Sequence, residues 1–85
     1  MSISHERRAL SFGDKPVIVY VSATSKWANI VLARCRGVTL RATDEALSED
    51  QYVALIRDAV AELGFVADLQ RRDDKEIVFE VRRIR

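Results

Sequence analysis

Cysteine is nearly absent from the 85-residue chain: Cys35 stands alone, so no internal disulfide and no cysteine-built structural zinc site can form. The single histidine, His5, has no partner at ligand spacing, which argues against metal binding and general-base chemistry. With three glycines scattered at 13, 37 and 64, no glycine-rich loop exists to admit a close backbone approach to phosphate. One proline beside 48% hydrophobic residues excludes a disordered or fibrous chain. No apolar run approaches the roughly 18 residues of a membrane span. The opening MSISHERRAL lacks the apolar centre of a secretion signal, so a soluble cytoplasmic protein is expected. No Ser/His/Asp order and no carboxylate pair at strand ends supports catalysis, and the expectation is a non-enzymatic protein without cofactors.

Charge is present but divided. The formal net charge is +1, yet residues 15–43 carry five positive charges and no acid, whereas residues 44–65 carry six acids and one arginine. The chain is electrically polarised along its length.

A chain this short forms one domain. Residues 1–14 are polar, end in Gly13-Asp14, and read as a flexible N-terminal arm before a single domain over 15–85. Val17-Ile18-Val19-Tyr20-Val21 is a β-branched and aromatic run of strand length. After possible caps among Ser22 to Ser25, Trp27, Ala28, Val31, Leu32 and Cys35 recur at helical spacing, with Gly37 in place to stop the helix. The rival for residues 24–36 is a strand through Asn29–Ala33. Val38, Leu40 and Ala42 alternate with Thr39, Arg41 and Thr43 and predict a second strand. The second helix has a capping box in Ser48 and Gln51, a staple in Leu47 and Tyr52, and an apolar stripe through Leu63 closed by Gly64. Val66–Gln70 and Glu76–Arg82 then flank a polar turn as a hairpin.

These elements predict an α/β two-layer sandwich of order β-α-β-α-β-β, with a four-stranded mixed sheet and two helices on one face. The uncovered face would carry Thr39, Arg41, Glu80 and Arg82 with Ile18, Tyr20 and Val78, and reads as a partner surface.

Val21-Ser22-Ala23-Thr24-Ser25-Lys26 leading into Asn29-Ile30-Val31-Leu32-Ala33, with a last strand rich in Val, Ile and Arg, resembles the turn and first helix of the Alba family of small archaeal chromatin and RNA-binding proteins. The order of elements is also similar to stage V sporulation protein S and the C-terminal domain of bacterial initiation factor three. The resemblance covers about 70 residues as topology and about ten as sequence. It implies a homodimer that binds duplex DNA or RNA through helix-one entry residues and the hairpins. The chain departs from the family in its short first helix and in a five-residue hairpin turn, Arg71 to Lys75, that holds two aspartates.

Ser22, Thr24, Ser25 and Lys26 gather hydroxyls and an ammonium where a strand enters a helix, a setting for phosphate or for ordinary capping. Arg34, Arg36 and Arg41, with Lys26 and Lys15, form an acid-free block able to follow a phosphate backbone, or a solvated surface of an arginine-rich chain. Arg71 and Arg72 extend it, though acids surround them. Tyr20 is the open candidate for base stacking; Trp27 and Cys35 lie on the apolar stripe of the first helix and read as core. The leading function is nucleic-acid binding, to DNA or RNA, through the basic β-α-β block. The alternative is a protein-interaction module, an inhibitor or antitoxin-like partner, using the open sheet face or the acidic helix of Glu49, Asp50, Asp58 and Glu62. A reader with that helix in a DNA groove ranks last, because its exposed side is acidic.

Overall fold

The structure, a computed structural model, describes residues 4–84. The chain opens with a hairpin. Strands β1 (Ser4–Phe12) and β2 (Lys15–Ala23) pair antiparallel, with Phe12 opposite Lys15. The two residues between them suffice because Gly13 takes φ +63, the left-handed first position that two-residue hairpins favour. The described part of the segment expected as a flexible arm, Ser4 to Phe12, is therefore an ordered edge strand. Its interleaved charges hide the pattern, yet Leu10 and Phe12 pack on the core from alternate positions. Pro16 lies one residue before β2 meets its other neighbour at Val17, where a missing N–H takes no bond from that ladder.

Helix α1 (Ser25–Asp44) absorbs the expected second strand. The alternation of residues 38–43 is overridden because Thr39 and Ala42 extend the buried stripe of Ala28, Val31, Leu32 and Cys35 at helical intervals. The Thr39 hydroxyl is also satisfied inside the helix layer. It donates to the Cys35 carbonyl at 2.9 Å and lies 2.8 Å from the Tyr52 hydroxyl. Gly37 is thus mid-helix and not a stop. Residues 25–36 are helical as the periodicity predicts, with Thr24 in extended backbone as the cap, so the rival strand is absent.

Helix α2 (Glu49–Glu62) begins where the capping box places it. The Gln51 amide donates to Ser48 Oγ at 3.2 Å, and the Ser48 amide donates to Gln51 Oε1 at 2.9 Å. Gly64, at φ +84, lets the chain leave the helix. Strands β3 (Phe65–Arg72) and β4 (Ile77–Arg83) then pair antiparallel, with a bulge between Leu69 and Arg71.

The order is thus β-β-α-α-β-β instead of β-α-β-α-β-β, while the expected class holds: a two-layer α/β fold with a four-stranded mixed sheet and two helices. The sheet order is β1-β2-β4-β3, and β2 and β4 run parallel. Val17, Val19 and Val21 of β2, Ile77, Phe79 and Val81 of β4, and Phe65 and Ala67 of β3 join the inward residues of both helices in one core. Phe12 stacks on Tyr52 with ring centroids 4.6 Å apart, and Trp27 tilts against Phe65 at 6.0 Å. Cys35 is fully buried there, and desolvation pushes its thiol up to about 12.

Candidate nucleic-acid interface

The residues singled out in the sequence separate into three places. Ser22, next to last in β2, lies on the helix-free face, beside His5 of β1 and Arg82 of β4. Thr24 is the N-cap of α1 in extended backbone, and its side chain makes no capping bond. The first intrahelical bond runs from the Ala28 amide to the Thr24 carbonyl at 2.8 Å, so the amides of Lys26 and Trp27 precede it in the first turn. No acid lies in that turn. Ser22, Thr24 and Ser25 are thus near neighbours along the chain at the carboxyl end of β2, where the positive end of the α1 dipole lies.

Lys26 is exposed and stands on the opposite side of α1 from Ala28 and Cys35, facing away from the sheet. The rest of the basic block is largely paired with acids from later in the chain. Arg34 meets Glu62 at 3.3 Å and Arg41 meets Glu45 at 2.6 Å. Lys15 donates to Glu49 at 2.7 Å and to the Asp73 carbonyl at 2.8 Å. Arg36 is exposed without an ion-pair partner among the described residues. Sequence distance conceals the pairs of Lys15 and Arg34, because Glu49 and Glu62 return through tertiary structure, whereas Glu45 lies one helical turn from Arg41.

Arg71 and Arg72 lie at the other end of the sheet. Arg71 is held by Glu76 at 3.0 Å and Asp73 at 3.6 Å. Arg72 binds Glu49 at 2.5 Å and also Asp50. Hydrogen bonds from Lys15 and Arg72 hold the Glu49 carboxyl below its ordinary range, and backbone amides of Lys75 and Glu76 do the same for Asp73. This cluster ties the β3–β4 turn to the start of α2 and leaves its cations little to offer a phosphate.

The surface that the two-layer fold leaves uncovered is built differently from the expected one, because Thr39 and Arg41 belong to α1. Its rows follow from strand register. His5, Ser22, Arg82 and Val66 form one row; Arg7, Tyr20, Glu80 and Asp68 the next; Ala9, Ile18, Val78 and Arg71 the third. Tyr20 stands on a central strand at 43% exposure, with the Arg7 guanidinium 6.0 Å from its ring centroid. Arg82 pairs with Asp68 at 2.9 Å. The carboxylates Glu80 and Asp68 lie on β4 and β3, so the β1–β2 half, with Arg7 and His5, is the side more favourable to an anion. Arg7 could have been found from the Gly13-Asp14 turn, which places Arg7 opposite Tyr20 once both flanks are strands. At the same end as Ser22 and Thr24, the Arg83 guanidinium lies 5.3 Å from the Trp27 ring.

Among the described residues no group of His, Cys, Asp and Glu is placed to hold a metal ion, and no helix is long and apolar enough to cross a membrane. Comparison with protein families, curated proteins and solved structures returned no match to this chain.

Proposed function

We propose that the chain is a small non-enzymatic nucleic-acid-binding protein that receives a single strand on the helix-free face of its sheet. The observation that carries this reading is Tyr20, a half-open aromatic on a central strand of an uncovered sheet, with Arg7 beside its ring. Every base has a π-face, so one such platform binds without strong sequence preference, and a guanidinium at its edge serves the neighbouring phosphate. Arg7 and His5 place the backbone along β1 and β2, away from Glu80 and Asp68. The α1 N-terminus with Ser22, Thr24 and Ser25 supplies a second phosphate contact at the carboxyl end of β2.

The proposal keeps the nucleic-acid function expected from the basic block but moves its centre from Arg34, Arg41, Arg71 and Arg72, whose charges are already met within the fold. The Alba-like segment Val21 to Lys26 retains its place at a strand-to-helix passage, although the order of elements around it differs. The competing use of α2 as an acidic docking helix loses support. Glu49, Asp50 and Glu62 are each paired with Arg72 or Arg34.

Anisotropy titrations of labelled single-stranded RNA, single-stranded DNA and duplex DNA at several salt concentrations test the reading. Single strands should bind with an affinity that falls with salt. Tyr20→Ala should weaken them about tenfold or more, Tyr20→Phe should preserve binding, and Arg7→Ala should lower the salt slope by about one. Absence of single-strand binding at low salt, or equal affinity of Tyr20→Ala and wild type, would overturn it.

A further inference from the structure

The outer side of α1 carries a stripe that the fold itself does not use. Lys26, Ile30, Ala33, Gly37, Leu40 and Asp44 are all exposed, with Ile30 at 38% and Leu40 at 58% exposure. They follow one another at intervals of four, three, four, three and four residues, the spacing of a coiled-coil seam. A shallow apolar groove runs along it between Ile30, Ala33, Gly37 and Val38, flanked by Arg34 and Arg41.

Nothing among the described residues explains Gly37. Its φ is not positive, and a Cβ built on it would meet nothing within 4 Å. Glycine in a helix interior costs about 1 kcal/mol relative to alanine. What glycine uniquely allows at such a place is close approach of another backbone.

The charges at the ends of the stripe are equally unexplained by α1 alone. Lys26 sits in the first turn, which holds no acid, while Asp44 ends the helix and Glu45 caps it. Arg41 in the last turn is paired with Glu45, which leaves Lys26 and Asp44 as the charges that oppose the helix dipole at the two ends. The same placement becomes favourable beside an antiparallel copy of the helix, and the stripe is symmetric for that arrangement. About its midpoint at the level of Cys35, Lys26 and Asp44 are equidistant, as are Ile30 and Leu40, and Ala33 and Gly37.

We infer that α1 is the interface of a homodimer in which two copies of the helix pack antiparallel about a two-fold axis. Lys26 of each copy faces Asp44 of the other, Ile30 faces Leu40, and Ala33 faces Gly37 at the point of closest approach. A two-fold interface is self-complementary by construction, and only a patch with this internal symmetry satisfies both halves at once. Because the stripe lies opposite the residues that pack on the sheet, both helix-free faces remain open in the dimer. One helix pair buries less than a standard interface of about 1,600 Å², so the association is concentration-dependent. This inference stands independently of the nucleic-acid reading.

Sedimentation velocity across the micromolar to millimolar range, without nucleic acid, tests it. Wild type should move from the 9.7 kDa monomer toward twice that mass as concentration rises. Gly37→Leu should stay monomeric with an unchanged circular dichroism spectrum, since its side chain has open space within the subunit. Lys26→Glu and Asp44→Lys should each weaken association by about tenfold, from two lost ion pairs and two like-charge contacts per dimer, and the doubly reversed variant should restore it. Each reversal also places charge correctly for the helix dipole, so the thermal midpoint of the dilute monomer should not fall. A monomer at every concentration, a Gly37→Leu protein that dimerises like wild type, or a double reversal without rescue would each overturn the inference.

Discussion

The buried pair of hydroxyls between the helices offers a quantitative test of the fold's internal logic. Thr39 carries one hydroxyl proton, which it gives to the Cys35 carbonyl at 2.9 Å. The 2.8 Å contact with Tyr52 must then use the phenol's proton, and burial keeps that proton bound by pushing the phenol up to about 12. Tyr52→Phe removes the donor and costs the net value of one neutral hydrogen bond, about 1 kcal/mol. Thr39→Val keeps the side-chain shape but leaves the Tyr52 hydroxyl buried without an acceptor, at about 2 kcal/mol. In the double variant neither group remains to be satisfied, and the loss should be about 1 kcal/mol, below the sum of the single losses by about 2 kcal/mol. Urea unfolding of the four proteins at pH 7, with a common slope, measures the cycle. Losses that add to within about 0.5 kcal/mol would refute the shared bond and the donor assignment built on it.

Ser48→Ala removes the acceptor of the Gln51 amide and should lower stability by about 1 kcal/mol, read by urea unfolding, while leaving nucleic-acid affinity unchanged. Glu49 is held below its ordinary range by Lys15 and Arg72, so its contribution is complete above the unfolded carboxylate value and is lost as pH falls through the lower folded one. Thermal midpoints measured from pH 7 down to pH 2 should therefore decline less steeply in Glu49→Gln than in wild type; parallel declines would count against the cluster.

What could be read from the sequence was what neighbours along the chain decide. Helix α2 starts at its capping box because Ser48 and Gln51 satisfy each other across three residues, with no help from the rest of the fold. The β-branched run of β2 is equally local, although the strand extends beyond it to Lys15 and Ala23. The second half of α1 was misread because Val38 to Thr43 alternates by composition. The deciding fact is tertiary: Thr39 and Ala42 continue the face begun by Ala28 and find the Tyr52 hydroxyl and the core there. A count from Cys35 in steps of four and three would have shown it. Strand β1 was missed for the opposite reason. An edge strand tolerates charges such as Glu6 and Arg8 along its length, so its alternation is faint, and the turn Gly13-Asp14 was the better signal. Tyr20 was visible as an aromatic, but its exposure depends on β1 and β4 lying to either side and on both helices choosing the other face. The local pairs of Arg41 with Glu45 and of Arg71 with Asp73 and Glu76 lie within reach of the sequence, but those of Arg72 with Glu49 and of Arg34 with Glu62 do not, since these residues meet only after the chain has closed.

The parallel seam between β2 and β4 has a kinetic consequence. Val17 and Ile77 are adjacent in the sheet, yet the chain between them passes through both helices and β3. The two hairpins and the helix pair are local and can form early, whereas this seam closes the longest loop in the molecule and bears its entropy. Val17, Val19 and Val21 against Ile77, Phe79 and Val81 are then the contacts that turn two separately collapsing halves into one cooperative unit. If they form after the folding barrier, packing defects along them shorten the lifetime of the native state more than they slow its formation.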